Sequence, residues 1–173
     1  VIAGLLLFLL LPLLVGGIVY ALRQWGTLTA VMSIGVTLAL GVAIVVLPLG
    51  QTVELWGRQI VMGGSVSFLG RELILEQVDR IAIAFLYLTA SGIFVLAWQM
   101  SAGSLLFPVG FGMLSLLSGS LLIRPLIYAV LLLEIAIAVS VFALQTEGRA
   151  PARGALHYLS FSLLAMPGLL VIH

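Results

Sequence analysis

Cysteine and lysine are both missing from this chain, and aspartate occurs once, at position 79. Without cysteine there can be no disulfide and no thiolate metal ligand, and the redox compartment is left open. Without lysine, all side-chain positive charge rests on seven arginines, which stand against six acids for a formal charge of +1. No basic run suited to nucleic acid and no acidic tail is present, so nucleic acid is not an expected partner. Only two histidines occur, His157 near a helix end and His173 at the terminus. They cannot supply the paired mid-helix ligands of a membrane haem. Phosphate-binding glycine loops, HExxH and a nucleophile elbow are also lacking, and no metal or directly bound cofactor is expected.

What is present is apolar. The chain has 173 residues, of which 63% are hydrophobic and 8% charged, with a mean hydropathy of +1.34. Ordinary soluble domains carry about 25% charged residues, so this composition reads as an integral membrane protein with the lipid bilayer as its surroundings. An all-α polytopic bundle of about six transmembrane helices is predicted, over residues 1–22, 28–49, 81–100, 105–123, 125–144 and 155–172, in a single transmembrane domain spanning 1–173. Residues 51–80 break the pattern with three Arg, three Glu and the sole Asp. Partial alternation in VELWGRQIV, the Gly63-Gly64 pair and the return VSFLGRELI predict an extramembrane β-hairpin or extended segment. The first run has no basic n-region or cleavage site and reads as a helix that spans the membrane, not as a signal peptide. Pro12 is expected to bend it. Arg23, Gln24 and Trp25 form a polar and aromatic boundary suited to the headgroup zone.

Six spans put both termini on one side, but the arginines are divided among the loops without a clear bias, so charge does not orient the chain.

Three ionisable residues are the candidate site residues. Glu134 lies near the middle of PLIYAVLLLEIAIAVSVFAL, where a carboxylate is costly unless it meets water, a cation or a proton. Its functional reading is a proton relay; the structural one is a protonated side chain hydrogen-bonded to a neighbouring helix. Asp79 opens the third span as a candidate interfacial charge, and helix capping accounts for it equally well. His157 begins the sixth span and is a candidate proton relay by its chemistry, or an interfacial polar residue. Arg124 is about 15 Å along the helix axis from Glu134 and is excluded as its direct partner on that helix. Tyr87 and Tyr128 are read either as packing residues or as hydrogen-bond donors.

The order of these parts resembles the N-terminal portion of the antiporter-like, proton-translocating membrane subunits of respiratory complex I, which are related to Mrp-type antiporter and energy-converting hydrogenase membrane subunits. The resemblance rests on GRELILEQVDRIAIAFLYL with Asp79 at the third helix, LLLEIAIAVSVFAL with Glu134 in the fifth, and ALHYLSFSLLA, where His157-Tyr158 replaces the family's Lys and aromatic. It implies a proton-translocating subunit of a complex I-like NADH/quinone oxidoreductase, with Glu134 in the relay and no redox centre of its own. NAD(P)H or ferredoxin, flavin, iron-sulfur clusters and quinone would belong to partner subunits. The implied partners are other membrane subunits of a respiratory or hydrogenase-like complex, with protons or sodium as the transported ion. The implied location is a bacterial or archaeal cytoplasmic membrane, or an organellar inner membrane. In that family the glutamate's lysine partner lies on a seventh helix, beyond this sequence, which suggests the leading part of a longer subunit. A monovalent cation/proton antiporter subunit and a non-transporting structural subunit are the alternatives.

Overall fold

The computed structural model describes residues 2–46, 52–55, 58–61, 65–68, 71–100, 103, 105–124, 126–144, 157 and 160. The short strand β1 (Ile2–Ala3) leads into α1 (Gly4–Ala21), and a turn through Arg23 leads to α2 (Gly26–Val46). Four strands follow: β2 (Thr52–Leu55), β3 (Arg58–Val61), β4 (Ser65–Phe68) and β5 (Arg71–Ile74). The chain then forms α3 (Gln77–Gln99), α4 (Leu106–Leu122), the two-residue β6 (Ile123–Arg124) and α5 (Leu126–Leu144). Five of the six expected spans are thus helical; α2 and α3 are long and apolar enough to cross a membrane, and the other three are apolar but shorter over their described lengths. The expected sixth span lies outside the described residues apart from His157 and Ser160, both helical.

The polar connection differs from the single hairpin expected. It holds two, because β2 pairs antiparallel with β3 and β4 with β5. Leu55 pairs with Arg58 and Phe68 with Arg71, so two residues ending in glycine separate each pair. Gly63-Gly64, read as the turn, falls between the hairpins and outside the described residues. Each hairpin gains a third strand from a helix end: β1 joins β3 in parallel, and β6 joins β5 antiparallel. The start of α1, the end of α2, the start of α3 and the α4–α5 break therefore gather at one end of the bundle.

Helices pack as neighbours α2 on α3, α3 on α4, and α1 and α5 both on α4. Small residues set these crossings, as in membrane bundles. A Cβ on Gly16 would lie 3.0 Å from Phe111 Cβ, and one on Gly110 would lie 2.7 Å from the Phe94 ring. That ring is buried against Phe107 and Phe111, with centroids 5.5 Å away in both cases. The interior is mainly apolar but also holds hydroxyls, and the exterior is apolar too. Thr29, Ser33, Thr37, Ser91, Ser115 and Ser118 are buried, whereas Leu14, Val46 and Phe85 are 68%, 70% and 72% exposed.

Pro12 has a specific consequence for this interior. It lies inside α1 and has no N–H, so the carbonyl of Phe8, four residues back, loses its intrahelical donor. Tyr87 of α3 supplies one, its hydroxyl donating to Phe8 O at 2.8 Å. Ser115 of α4 donates to the next carbonyl, Leu9 O, at 2.6 Å. Neighbouring side chains thus satisfy the broken turn, which is how apolar surroundings tolerate proline in a helix. Tyr87 is one of the largest fully buried side chains, and it accepts a further hydrogen bond from Ser118 at 3.4 Å.

Candidate functional site

Glu134 is the ninth of nineteen residues in α5 and is half-buried. Its direction follows from helical geometry. Leu132 meets α4 at Gly119, where an added Cβ would be 3.3 Å from Leu132 Cδ1, and Ala136 is buried. Glu134 is two residues from each, a rotation of about 200° around the axis. It therefore lies on the side of α5 turned away from α4. Among the described residues, no side chain forms an ion pair or hydrogen bond with it. The other described helices, α1 to α3, lie beyond α4 and present no cation to this carboxylate.

Asp79 has the opposite situation. It is the third residue of α3, and its Oδ2 accepts a hydrogen bond from the Glu76 backbone N–H at 3.1 Å, completing a capping box. The same oxygen lies 3.8 Å from Arg124 Nη2. The oxygen that caps α3 is thus also the one that faces a guanidinium. Arg80, the next residue, points to α2: its Nε donates to Ile44 O at 2.6 Å and its Nη2 to Val45 O. A guanidinium suits these last-turn carbonyls, which have no intrahelical donors and carry the negative end of the helix dipole. Arg124 itself belongs to β6, where it is the register partner of Glu72.

His157 is an exposed helical residue, and no hydrogen bond or ion pair joins it to Glu134 or Asp79. The three candidates therefore do not form one cluster: Asp79 is in the charged end of the bundle and Glu134 is partway along a helix. At the opposite end, the Arg23 guanidinium sits 5.0 Å above the Tyr20 ring, in the boundary expected from Arg23, Gln24 and Trp25. No group of three or more His, Cys, Asp or Glu side chains among the described residues could hold a metal ion.

The buried hydroxyls are not a proton wire. Ser33 donates to Thr29 O, Thr37 to Ser33 O, Ser91 to Ile34 O, Ser115 to Leu9 O and Tyr87 to Phe8 O. Each proton is directed at a backbone carbonyl: the bonds of Ser91, Ser115 and Tyr87 join helices, those of Ser33 and Thr37 stay within α2, and among the described residues only Ser118 to Tyr87 links one hydroxyl to another. A groove of about 660 Å³ between α3 and α4 is equally unsuited to proton chemistry. Phe85, Ile93, Phe94, Met113 and Leu117 line it, no ionisable residue does, and the hydroxyl of Ser140 on its rim already donates to Ile137 O at 2.6 Å.

The Tyr87 and Ser115 contacts and the Asp79–Arg124 pair were not legible as partnerships in the sequence. Pro12 was the available signal for the first, since a proline within an apolar run requires a donor from elsewhere. No protein-family model, curated protein or solved structure matches the chain.

Proposed function

We propose that the chain is an integral membrane subunit that moves protons, with Glu134 as the group that takes up and releases them. The observation that carries this reading is the position of Glu134: mid-helix in an apolar segment, on the side of α5 turned away from α4. A carboxylate in apolar surroundings holds its proton, and one beside a cation releases it. Alternating those surroundings transfers a proton. An acid placed there without such a task is expensive, and intramembrane acids mark ion pathways by default.

Membrane insertion is supported by the apolar exterior of the helices. Hydroxyls are buried while large aliphatic and aromatic side chains cover the outside of α1, α2 and α3. A soluble core helix would bury its apolar residues, yet only 39% and 33% of the apolar windows of α2 and α3 are buried. Together with the resemblance, this favours a proton-translocating subunit of a complex I-like oxidoreductase, with nicotinamide, flavin, iron-sulfur and quinone chemistry left to partner subunits.

The test is Glu134→Gln in the assembled complex, with proton uptake into sealed vesicles followed by a pH-sensitive dye. Translocation is expected to fall at least about tenfold, in keeping with an intramembrane relay residue, while assembly is retained. Wild-type translocation in this variant would overturn the reading. Dependence of the same flux on sodium would assign the carboxylate to a cation/proton antiporter instead. Loss of assembly with no separable transport defect would make the subunit structural.

A further inference from the structure

We propose that Asp79 and Arg124 are positioning residues for Glu134, a tether that fixes the base of α5 against the start of α3. This rests on the proton-relay reading for its functional consequence, though the tether itself does not. α5 is separated from α4 by β6, an extended break, so the direction of α5 is not inherited from the preceding helix. Its packing partner among the described helices is α4, and its base is held by β6. That strand is fixed twice. Its backbone pairs with β5 through Leu73↔Ile123 and Glu72↔Arg124, and the Arg124 side chain reaches Asp79 at 3.8 Å.

Asp79 is firmly placed. Its Oδ2 caps α3, and Arg80 beside it grips the last turn of α2. The Asp79-Arg80 dipeptide therefore joins the end of α2, the start of α3 and the start of α5. Glu134 stands eight residues up α5 from its first residue, Leu126, about 12 Å along the axis. A shift at the base moves the carboxylate with respect to anything that meets the outer side of α5.

Capping and tethering make different demands on Asp79. The cap needs only an oxygen acceptor, which asparagine retains. Arg124 needs the charge. The Asp79 and Arg124 side chains are 14% and 39% exposed, and a pair this open contributes little to global stability. Position, not stability, is what it supplies.

Because this chain has no cysteine, cysteines placed at the exposed positions Val78 and Ile127 can carry spin labels across the tether. The distance between them is measured by electron paramagnetic resonance in the vesicle-reconstituted complex, alongside proton translocation. Asp79→Asn and Arg124→Gln are each expected to lengthen or broaden that distance. Each should reduce translocation about two- to fivefold, the factor equivalent to a partly exposed ion pair, with helix content unchanged. The double variant should be no worse than either single one, as for two halves of one interaction, and Arg124→Lys should retain most of the flux. An unchanged distance in both single variants would overturn the tether. A changed distance with wild-type flux, or additive losses in the double variant, would overturn the positioning role. If Glu134→Gln leaves flux intact, the relay reading and the positioning role fall together, while the label distances still decide the tether.

Discussion

Helices α1 and α5 flank the same helix and meet it at the same residue. A Cβ on Gly119 of α4 would lie 2.9 Å from Leu9 Cδ1 on one side and 3.3 Å from Leu132 Cδ1 on the other. Both flanking helices are apolar, and each carries one polar group in its interior that an apolar medium does not tolerate alone. In α1 it is the backbone carbonyl of Phe8 that Pro12 leaves without a donor, and Tyr87 reaches across from α3 to satisfy it. In α5 it is the Glu134 carboxylate, which is turned away from α4 and has no ion-pair or hydrogen-bond partner among the described residues. The difference separates a polar group that joins two described helices from one that lies on the side of α5 away from α4. Among the described residues, α3 and α4 satisfy the polar defect of α1, whereas none satisfies that of α5.

The largest expected effects break this comparison at its two ends. Glu134→Leu replaces the one acid of an apolar helix by an apolar side chain, so thermal stability in detergent should be unchanged or raised while proton translocation falls at least about tenfold. A large fall in stability would mean that the carboxylate is structural, as the α1 carbonyl is. Gly110→Ala should do the reverse. Its Cβ would be 2.7 Å from a Phe94 ring already enclosed by Phe107 and Phe111, so it should cost about 1–3 kcal/mol through overpacking. Gly112→Ala, on the same helix with nothing within 4 Å of the new Cβ, should instead be neutral or stabilise by up to about 1 kcal/mol. Equal melting shifts in the two glycine variants would refute close packing at Gly110.

A smaller effect sharpens the α1 side. Tyr87→Phe leaves the Phe8 carbonyl without its donor and should cost about 1–2 kcal/mol, within the range for a buried acceptor left unpaired. Pro12→Ala restores a backbone N–H at the position from which an α-helix would serve Phe8 O. In that background the Tyr87→Phe cost should shrink by about half or more, a coupling that a double-mutant cycle measures directly. Identical costs in both backgrounds would show that Tyr87 acts by packing alone.

How far these features were readable in the sequence follows from their range. The apolar runs gave five helices at close to the expected bounds, because a helix twenty residues long is specified by its own composition. Glu134 stood out for the same reason, being one acid within such a run. The Asp79 cap is legible because an acid in a helix's opening turn meets exposed amides; that Glu76 completes a capping box shows only in the structure. The hairpin region is marked by its charges, but its division into two hairpins rests on the pairing of β2 with β3 and β4 with β5, and Gly63-Gly64 is the most conspicuous pair in its sequence. β6 escaped notice because two residues have no periodicity; pairing with β5 makes them a strand. Arg124–Asp79 and Tyr87–Phe8 join residues that are distant in sequence, and nothing local marks either member as the other's partner. The face of α5 on which Glu134 lies follows only once Leu132 is seen against Gly119 of α4 and Ala136 is seen to be buried.

The smallest expected difference lies between two buried serines, and it separates hydroxyls that join helices from hydroxyls that only accompany one. Ser33 donates at 2.7 Å to Thr29 O, the carbonyl four residues back in its own helix. That carbonyl is already within reach of a backbone donor from the following turn, so the hydroxyl adds a second bond to a group that has one. Ser33→Ala should change stability by no more than about 0.5 kcal/mol, since such back-bonding is neutral or slightly destabilising to a helix. Ser115 donates instead from α4 to Leu9 O of α1, beside the turn that Pro12 disrupts. Interhelical hydrogen bonds in membranes average about 0.6 kcal/mol and reach about 1.7, and Ser115→Ala should fall in the upper half of that range. Chemical or thermal denaturation of both variants in the same detergent gives the ordering directly. If Ser33→Ala proves as costly as Ser115→Ala, the polar interior of α2 also bears on packing between helices, and the contrast between α1 and the rest of the bundle narrows to the proline alone.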